Sequence, residues 1–270
     1  TVLNHGMDIH AGSAICLGPN NILEKFYRAA PVGITVEGSN TLTRSLIIFG
    51  QGLNKSHPYV FEIMDNILQN DEKSLQKNFK DIVKHSVSLY IQAMFQKMDF
   101  MNLWNSNLEK QTIYFANLAN FVALKGGKLK GEQILSGLMS DIFSNLYLAH
   151  SVQWHQKEYG LSDKVAQYCI HRTLNENNKL FNEVIDNLDS MGYLLYFTKQ
   201  KVASRNIKFE KEIIQEMMKN SRIMDYLKRD IDLENSAIKN LIELSSLDKN
   251  SEEYSKLYQN VIQVGEYDNH

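Results

Sequence analysis

Residues 134–149 read ILSGLMSDIFSNLYLA. Apolar residues recur three and four positions apart in this stretch, which is the spacing that places side chains on one face of an α-helix. We therefore predict an amphipathic helix that packs into a core. Its predicted apolar face consists of Ile134, Leu135, Leu138, Met139, Ile142, Leu146 and Ala149.

The same periodicity extends over most of the chain. Residues 113–124 are apolar nearly all round, as in the central helix of a bundle. There is no proline after Pro58, and Gly126–Gly127 and Gly160 are predicted helix ends. Strand-like alternation is scarce, so the predicted fold class is all-α, a helical bundle. A further predicted apolar helix face consists of Phe79, Ile82, Val83, Ser86, Tyr90, Ala93 and Met94.

The glycine content and the periodicity of the sequence change near residue 70. Glycines are frequent before this point, and long amphipathic helices joined by short turns are predicted after it. We predict a boundary near Gln69–Asn70, with one domain over residues 1–70 and an appended helical domain over residues 71–270.

Composition excludes several classes of function. The 270 residues are 43% apolar with a net charge of −2, which gives no basis for nucleic-acid binding. Cys16 and Cys169 lie far apart, so neither a disulfide framework nor a thiolate zinc site is expected, and a reducing compartment is indicated. No apolar run approaches the ~20 residues that span a bilayer. His150 and His155 have poor helical metal spacing, and no metal site is predicted.

The segment that points to chemistry is residues 8–52, which read DIHAGSAICLGPNNILEKFYRAAPVGITVEGSNTLTRSLIIFGQG. Pro19 is predicted to open a helix that runs to about Tyr27, and residues 34–36 are predicted to be extended. Glu37 would then stand just before a second helix that carries Leu42, Leu46, Ile47 and Phe49. On these residues alone, Glu37 is either a catalytic carboxylate or a side chain favoured by the dipole at a helix start.

Three short motifs, in order, resemble the end of the catalytic helical domain of acyl-CoA dehydrogenases. Residues 8–12 resemble the glycine loop of that family, residues 28–30 its helix end, and residues 36–39 its catalytic segment. Residues 137–149 resemble part of the extra C-terminal domain of the bacterial long-chain type. The sequence departs from the better-known relatives at Asp8, Ala11, Ser39 and Thr41.

The resemblance implies a reaction and a set of roles. Glu37 would remove the α-proton of a fatty acyl-CoA while FAD accepts the β-hydrogen as hydride, in the first step of fatty acid β-oxidation. Gly38 would approach substrate, and Gly12 and Thr41 would contact the flavin. Ser39 would either contact the flavin or only cap the following helix. The resemblance also implies a C-terminal part of a longer, cytoplasmic enzyme that forms a homodimer or higher oligomer and passes electrons to an electron-transferring flavoprotein. Arg28 would support the site or be a solvated cation, and Arg44 would form a structural ion pair.

An alternative is a non-catalytic helical module for interaction or membrane docking. Residues 199–229 contain nine Lys or Arg and four Asp or Glu, together with apolar residues near helical spacing. This pattern fits either docking on the anionic surface of the inner membrane or a surface helix packed on the bundle by its apolar side.

Overall fold

The structure is a computed structural model that describes residues 2–16, 22–36, 40–99, 106–220, 223, 225 and 237–263. All regular secondary structure in these residues is helical, as predicted. The chain forms two compact units, one of residues 1–39 with 224–270 and one of residues 40–223. The helices are α1 (Val2–His10), α2 (Ile22–Ala29), α3 (Val32–Thr35), α4 (Asn40–Leu42), α5 (Gly52–Ser56), α6 (Val60–Gln69), α7 (Glu72–Met98), α8 (Asn107–Ala123), α9 (Gln133–Tyr159), α10 (Asp163–Asp186), α11 (Met191–Leu195), α12 (Ile207–Lys219), α13 (Ala237–Ser246) and α14 (Glu252–Gln263), with 3₁₀ turns over Ala11–Ile15, Gly126–Lys130 and Tyr196–Thr198 and a π-helix over Thr43–Gln51.

The core of the larger unit lies among α8, α9 and α10. Helix α8 is central, as predicted, and its start is fixed by a capping box in which Ser106 and Glu109 exchange hydrogen bonds. Six of the seven residues predicted for the α9 face are buried, and only Ile134, in the first turn, is 79% exposed. Apolar burial along three helices therefore holds this unit together. Its largest fully buried apolar side chains include Phe181, Leu118, Met139, Ile142, Leu188 and Leu195.

Helix α7 is apolar on two faces, and the predicted face was partly wrong. Ala93 is buried and Tyr90 is half-buried, as predicted. Phe79 and Val83, assigned to the same face, are 61% and 49% exposed. Both sides of α7 satisfy helical periodicity, and its packing against α6 and α8 selects the inner one.

The prediction of an extended segment over residues 34–36 was also wrong. Ile34 and Thr35 belong to α3, and only Val36 is extended, with its N–H bonded to the carbonyl of Val32. Pro31 precedes this turn with a φ of −58°, which suits the start of a helix. Proline therefore ends α2 but permits a new helical turn, despite the β-branched residues that follow.

A helix after Glu37 was predicted and is present, beginning at Asn40. From Thr43 to Gln51 it winds as a π-helix, whose wider turn changes which side chains point inward. Phe49 is buried as expected, whereas Leu42 and Ile47 are 47% and 42% exposed.

The turn at Asn70 joins α6 to α7. Asn70 has a left-handed φ of 53°, and the side chain of Asp71 caps α7 by accepting from the N–H of Ser74. The predicted boundary near Gln69–Asn70 falls at this turn, but both helices belong to one compact unit, whose limit lies at Asn40. The assignment of residues 1–70 and 71–270 to different domains of the enzyme stays a prediction. Among the described residues, no helix combines the length and the apolar character needed to cross a membrane.

Candidate functional site

The predicted site residues fall into three groups. Glu37, Gly38 and Ser39 lie outside the described residues. Gly12 is exposed in the 3₁₀ turn after α1, and a Cβ there would meet no atom within 4 Å. Thr41 is exposed in α4. Because Gly12 and Thr41 belong to different compact units, their predicted flavin contacts stay predictions.

The apolar residues just before Glu37 lie at the surface of this chain. Ile34 and Val36 are 56% and 53% exposed, so neither is packed into a core of this chain.

Arg28 and His10 lie on the surface of the smaller unit. Arg28 pairs with Glu24 one helical turn earlier, with Nε and Oε1 3.1 Å apart, and its side chain is 71% exposed. His10 is exposed at the end of α1. These positions fit the surface interpretation of Arg28, while a role in supporting a site stays a prediction.

The helix after Glu37 is tied to α9 through Arg44. Nε and Nη2 of Arg44 donate to the two carboxylate oxygens of Asp141 at 2.8 and 2.5 Å, which confirms the predicted ion pair. The hydroxyl of Ser140 also donates to the carbonyl of Arg44. A bidentate pair fixes orientation as well as distance, and the hydrogen bond to Asp141 raises the pKa of Arg44 above its usual value.

Gly137 makes room for this guanidinium. A Cβ on Gly137 would lie 2.6 Å from Nη1 of Arg44, which is closer than real Cβ contacts. Gly137 and Asp141 are one turn apart on α9, so the same helix face supplies both the space and the carboxylate. We name this arrangement of Arg44, Gly137, Ser140 and Asp141 the Arg44 anchor.

A second polar cluster joins the turn before α6 to α7 and α8. The N–H of Tyr59 donates to Nδ1 of His57 at 3.2 Å, so Nε2 of the neutral ring carries the proton and donates to Oδ1 of Asn120, 3.1 Å away. The ring of His85 stands edge-on to that of His57, with centroids 5.7 Å apart. This network supports the structural role predicted for His57.

The surroundings of His57 lower its pKa. Burial is the main cause, and the nearby His85 adds to it, while the hydrogen bond to Asn120 opposes both. The unfolded chain then binds a proton at a higher pH than the folded chain, so stability falls as pH drops through the usual histidine value of 6.5.

Substituting His57→Gln should therefore make stability less dependent on pH. We expect the fall in the urea midpoint of unfolding between neutral and mildly acidic pH to be smaller in this variant, because one proton-uptake site is removed from the unfolded chain. Urea titrations at several pH values measure this. His10→Gln, at an exposed position, is the control, and an unchanged pH slope in His57→Gln would contradict the assignment.

A buried ion pair joins the C-terminal end of α7 to the first turn of α8. Nζ of Lys110 lies 3.0 Å from Oδ2 of Asp99, and the two side chains are only 9% and 1% exposed. Nζ also donates to the backbone carbonyl of Asp99. Sequence periodicity gives no indication of this pair, because a lysine in the first turn of a helix is ordinarily solvated.

The predicted basic window over residues 199–229 is partly neutralised in its described portion. Lys199 pairs with Asp186, and Arg205 pairs with Glu210 at 2.8 Å. Within α12, Ile213 is buried, whereas Ile214 and Met218 are 60% and 81% exposed. Helix α12 therefore packs with Ile213 buried and Phe209 and Met217 half-buried, and it leaves other apolar residues exposed, which keeps both interpretations open.

Sequence reasoning missed Asp141, His85 and Asn120. The Gly-x-x-x-Asp spacing at residues 137–141 is the one local indication of the Arg44 anchor. No local pattern connects His57 with His85 or Asn120, because they come from separate elements. In the described part of the chain, no group of three His, Cys, Asp or Glu side chains is arranged to hold a metal ion.

The described residues form an all-α bundle. In it, the helix that follows the predicted catalytic segment in the sequence is bonded to α9 through Arg44. A family model described as the C-terminal domain of bacterial-type acyl-CoA dehydrogenases matches residues 54–268. The chain therefore belongs to this family, which confirms the predicted resemblance. The match begins after Glu37 and does not include it.

A solved structure is also similar, the crystal structure of an acyl-CoA dehydrogenase complexed with FAD from Bacillus anthracis. The two sequences are 21% identical, with a TM-score of 0.49. The similarity covers 80% of this chain and 36% of that one, so the chain corresponds to about a third of the length of that protein.

Proposed function

We propose that this chain carries the catalytic base, Glu37, of an FAD-dependent acyl-CoA dehydrogenase that converts long-chain fatty acyl-CoA to trans-2-enoyl-CoA. The observation that carries the proposal is the family match over residues 54–268, which directly follows a segment with the motif order of the catalytic region. The family resemblance leads to the further proposal that other parts of the enzyme build the flavin-binding domain.

The chemistry requires a positioned carboxylate. A thioester α-C–H is a weak acid, so Glu37 must be oriented and its pKa raised by desolvation when substrate binds. The carboxylate takes the α-proton, and the backbone N–H of Glu37 donates to the thioester oxygen as negative charge develops there. FAD supplies the hydride-accepting ring that takes the β-hydrogen.

Two of the residues predicted to contact the flavin, Gly12 and Thr41, are among the described residues, and both are exposed. Gly12 leaves open space where a side chain would stand, and Thr41 presents a hydroxyl at the exposed start of α4. Ser39 keeps a hydroxyl where the family has threonine. A position without a side chain and a hydroxyl group are each suited to contact with a polar cofactor.

The test uses the complete protein encoded by the gene. Anaerobic addition of acyl-CoA should bleach the oxidised flavin and form an equal amount of enoyl-CoA, with long chains reacting faster than short ones. Loss of bleaching with every chain length would reject the activity. Equal rates for all lengths would reject only the long-chain preference.

The Arg44 anchor is proposed to hold the start of α4, and through it the Glu37 segment. Asp141→Asn should therefore slow flavin reduction by acyl-CoA by about 10-fold while FAD stays bound, because a misplacement of 1 Å can cost about 100-fold in rate. Stopped-flow absorbance gives the rate, and the flavin-to-protein ratio gives the cofactor content.

Glu176→Gln is the matched control. It breaks an exposed ion pair with Lys179, in which Nζ and Oε2 lie 2.8 Å apart, away from the Arg44 anchor. Its rate should equal that of the unaltered protein. If both variants react at the unaltered rate, the Arg44 anchor does not position Glu37.

The cytoplasmic location, the homodimer or higher oligomer and the electron-transferring flavoprotein as acceptor are proposals that follow from the same family. Contact of residues 199–229 with an anionic membrane surface is a second candidate role, favoured by the exposure of Ile214 and Met218. Co-sedimentation with anionic liposomes tests it, and no loss of binding on neutralising the lysines and arginines of this window would reject it.

A further inference from the structure

A cavity of about 300 Å³ lies inside the larger unit. This volume is at the small end of the range of about 300 to 1,000 Å³ found for small-molecule sites. The cavity lies beside the π-helix, with α5, α7, α8 and α9 around it. Most of its wall is apolar, formed by Ile48, Phe49, Leu53, Leu89, Phe115 and Phe143.

The polar residues of the wall are Ser56, His57, His85 and Asn120. Both ring nitrogens of His57 are already hydrogen-bonded, to Tyr59 and Asn120. Asn120 is 9% exposed, and its Nδ2 has no hydrogen-bond partner. A buried amide that lacks a partner is costly, which makes it an unusual feature for a wall with no function.

His85 is half-buried on the same wall. Among the described residues it makes edge-on ring contacts with His57 and Tyr59, each at 5.7 Å between centroids, and no hydrogen bond. An imidazole can donate a hydrogen bond when neutral and carries a positive charge when protonated. The polar part of the wall therefore offers N–H donors that lack an acceptor.

The described residues that line the cavity include no Asp, Glu, Lys or Arg. A carboxylate in the cavity would therefore meet no negative charge from these residues. An amine would instead place its own N–H donors against the N–H donors of the wall. The apolar wall in turn favours an aliphatic chain. A water-sized group takes about 30 Å³, so roughly ten such groups fill the cavity, about the size of a chain of eight to ten carbons.

From these features, we propose that the cavity binds a medium-length aliphatic carboxylic acid or its ester, with the head oxygen near His85 and Asn120 and the chain against the aromatic wall. Occupancy of this cavity can be measured without the proposed reaction.

The test uses decanoic acid with a photoreactive diazirine at its far end and the complete protein. After irradiation and proteolysis, mass spectrometry should find saturable labelling of peptides from residues 48–58 or 112–121. Decanoic acid and its methyl ester should displace the probe, whereas decane, which lacks the acceptor, should not.

Variants separate this site from binding elsewhere. Ala116 lines the cavity, and Ala116→Leu should reduce the labelling at least 10-fold by filling it. Ala123→Leu, on the same helix outside the cavity and also half-buried, should label normally. Ser56→Leu, at an exposed position on the cavity wall, repeats the test if Ala116→Leu does not fold. His85→Phe should raise the half-saturating probe concentration about 10-fold.

Labelling confined to other peptides, or unchanged in both Ala116→Leu and Ser56→Leu, would overturn the proposal. A change of oligomeric mass in these variants, without labelling of the unaltered protein, would show that the cavity faces a second copy instead. Glu37→Gln should label like the unaltered protein, so failure of the proposed reaction and failure of this site are distinguishable.

Discussion

Replacing Glu37 by glutamine in the complete protein should leave FAD bound and slow its reduction by acyl-CoA by at least 10²- to 10⁴-fold, the usual contribution of a general base. Glutamine has nearly the same shape as glutamate but cannot accept the α-proton. Rapid mixing under anaerobic conditions, followed by flavin absorbance, measures the rate.

Glu62→Gln provides the control, because Glu62 is exposed on α6 and lies outside the predicted catalytic segment. It should react like the unaltered protein. Normal bleaching of the flavin in Glu37→Gln would show that another group is the base. Loss of FAD from that variant would instead assign Glu37 a role in holding the cofactor.

The largest effect on stability is expected at the buried pair of Lys110 and Asp99. Lys110→Met should lower the free energy of unfolding by about 3–5 kcal/mol, since it removes the cation that lies 3.0 Å from a carboxylate that is only 1% exposed. Urea unfolding followed by circular dichroism gives this value.

The double variant Asp99→Leu with Lys110→Met measures the coupling between the two charges apart from the effect of each substitution on its surroundings. It should lose less stability than the sum of the two single variants, because no lone charge stays buried. Lys179→Met, which breaks an exposed pair with Glu176, should cost at most about 1 kcal/mol. Simple additivity of the two buried substitutions would contradict the proposed coupling.

Local sequence was sufficient where one helix face is clearly more apolar than the rest. The α9 face was predicted nearly completely, because burial of a single apolar stripe is the dominant favourable term for such a helix. The helix start just after Glu37 and the left-handed stop at Gly160 were also predictable, since both depend on backbone preferences within a few residues.

Prediction failed where two local solutions compete. Helix α7 has apolar residues on both sides, and only its neighbours determine that Ala93 faces inward while Phe79 faces outward. At residues 34–36, β-branched side chains favour an extended chain, but the turn started by Pro31 is helical. In both places, contacts with other elements or the preceding backbone override propensity.

The features of the candidate site also fall into those that the sequence predicts and those that only the tertiary structure shows. The motif order around Glu37 and the family resemblance are properties of the sequence, because they depend on residue identity and spacing. The pairing of Arg44 with Asp141 and the meeting of His57, His85 and Asn120 join residues from separate helices, so spacing could not reveal them.

By itself, the sequence determined the all-α class, the helices α8 and α9 and the candidate base, because each follows from periodicity, turn residues or a local motif. Only the tertiary structure decided the inner face of α7, the Arg44 anchor and the cavity beside His85. These features arise when distant helices pack together, and packing selects among several faces that local periodicity allows equally.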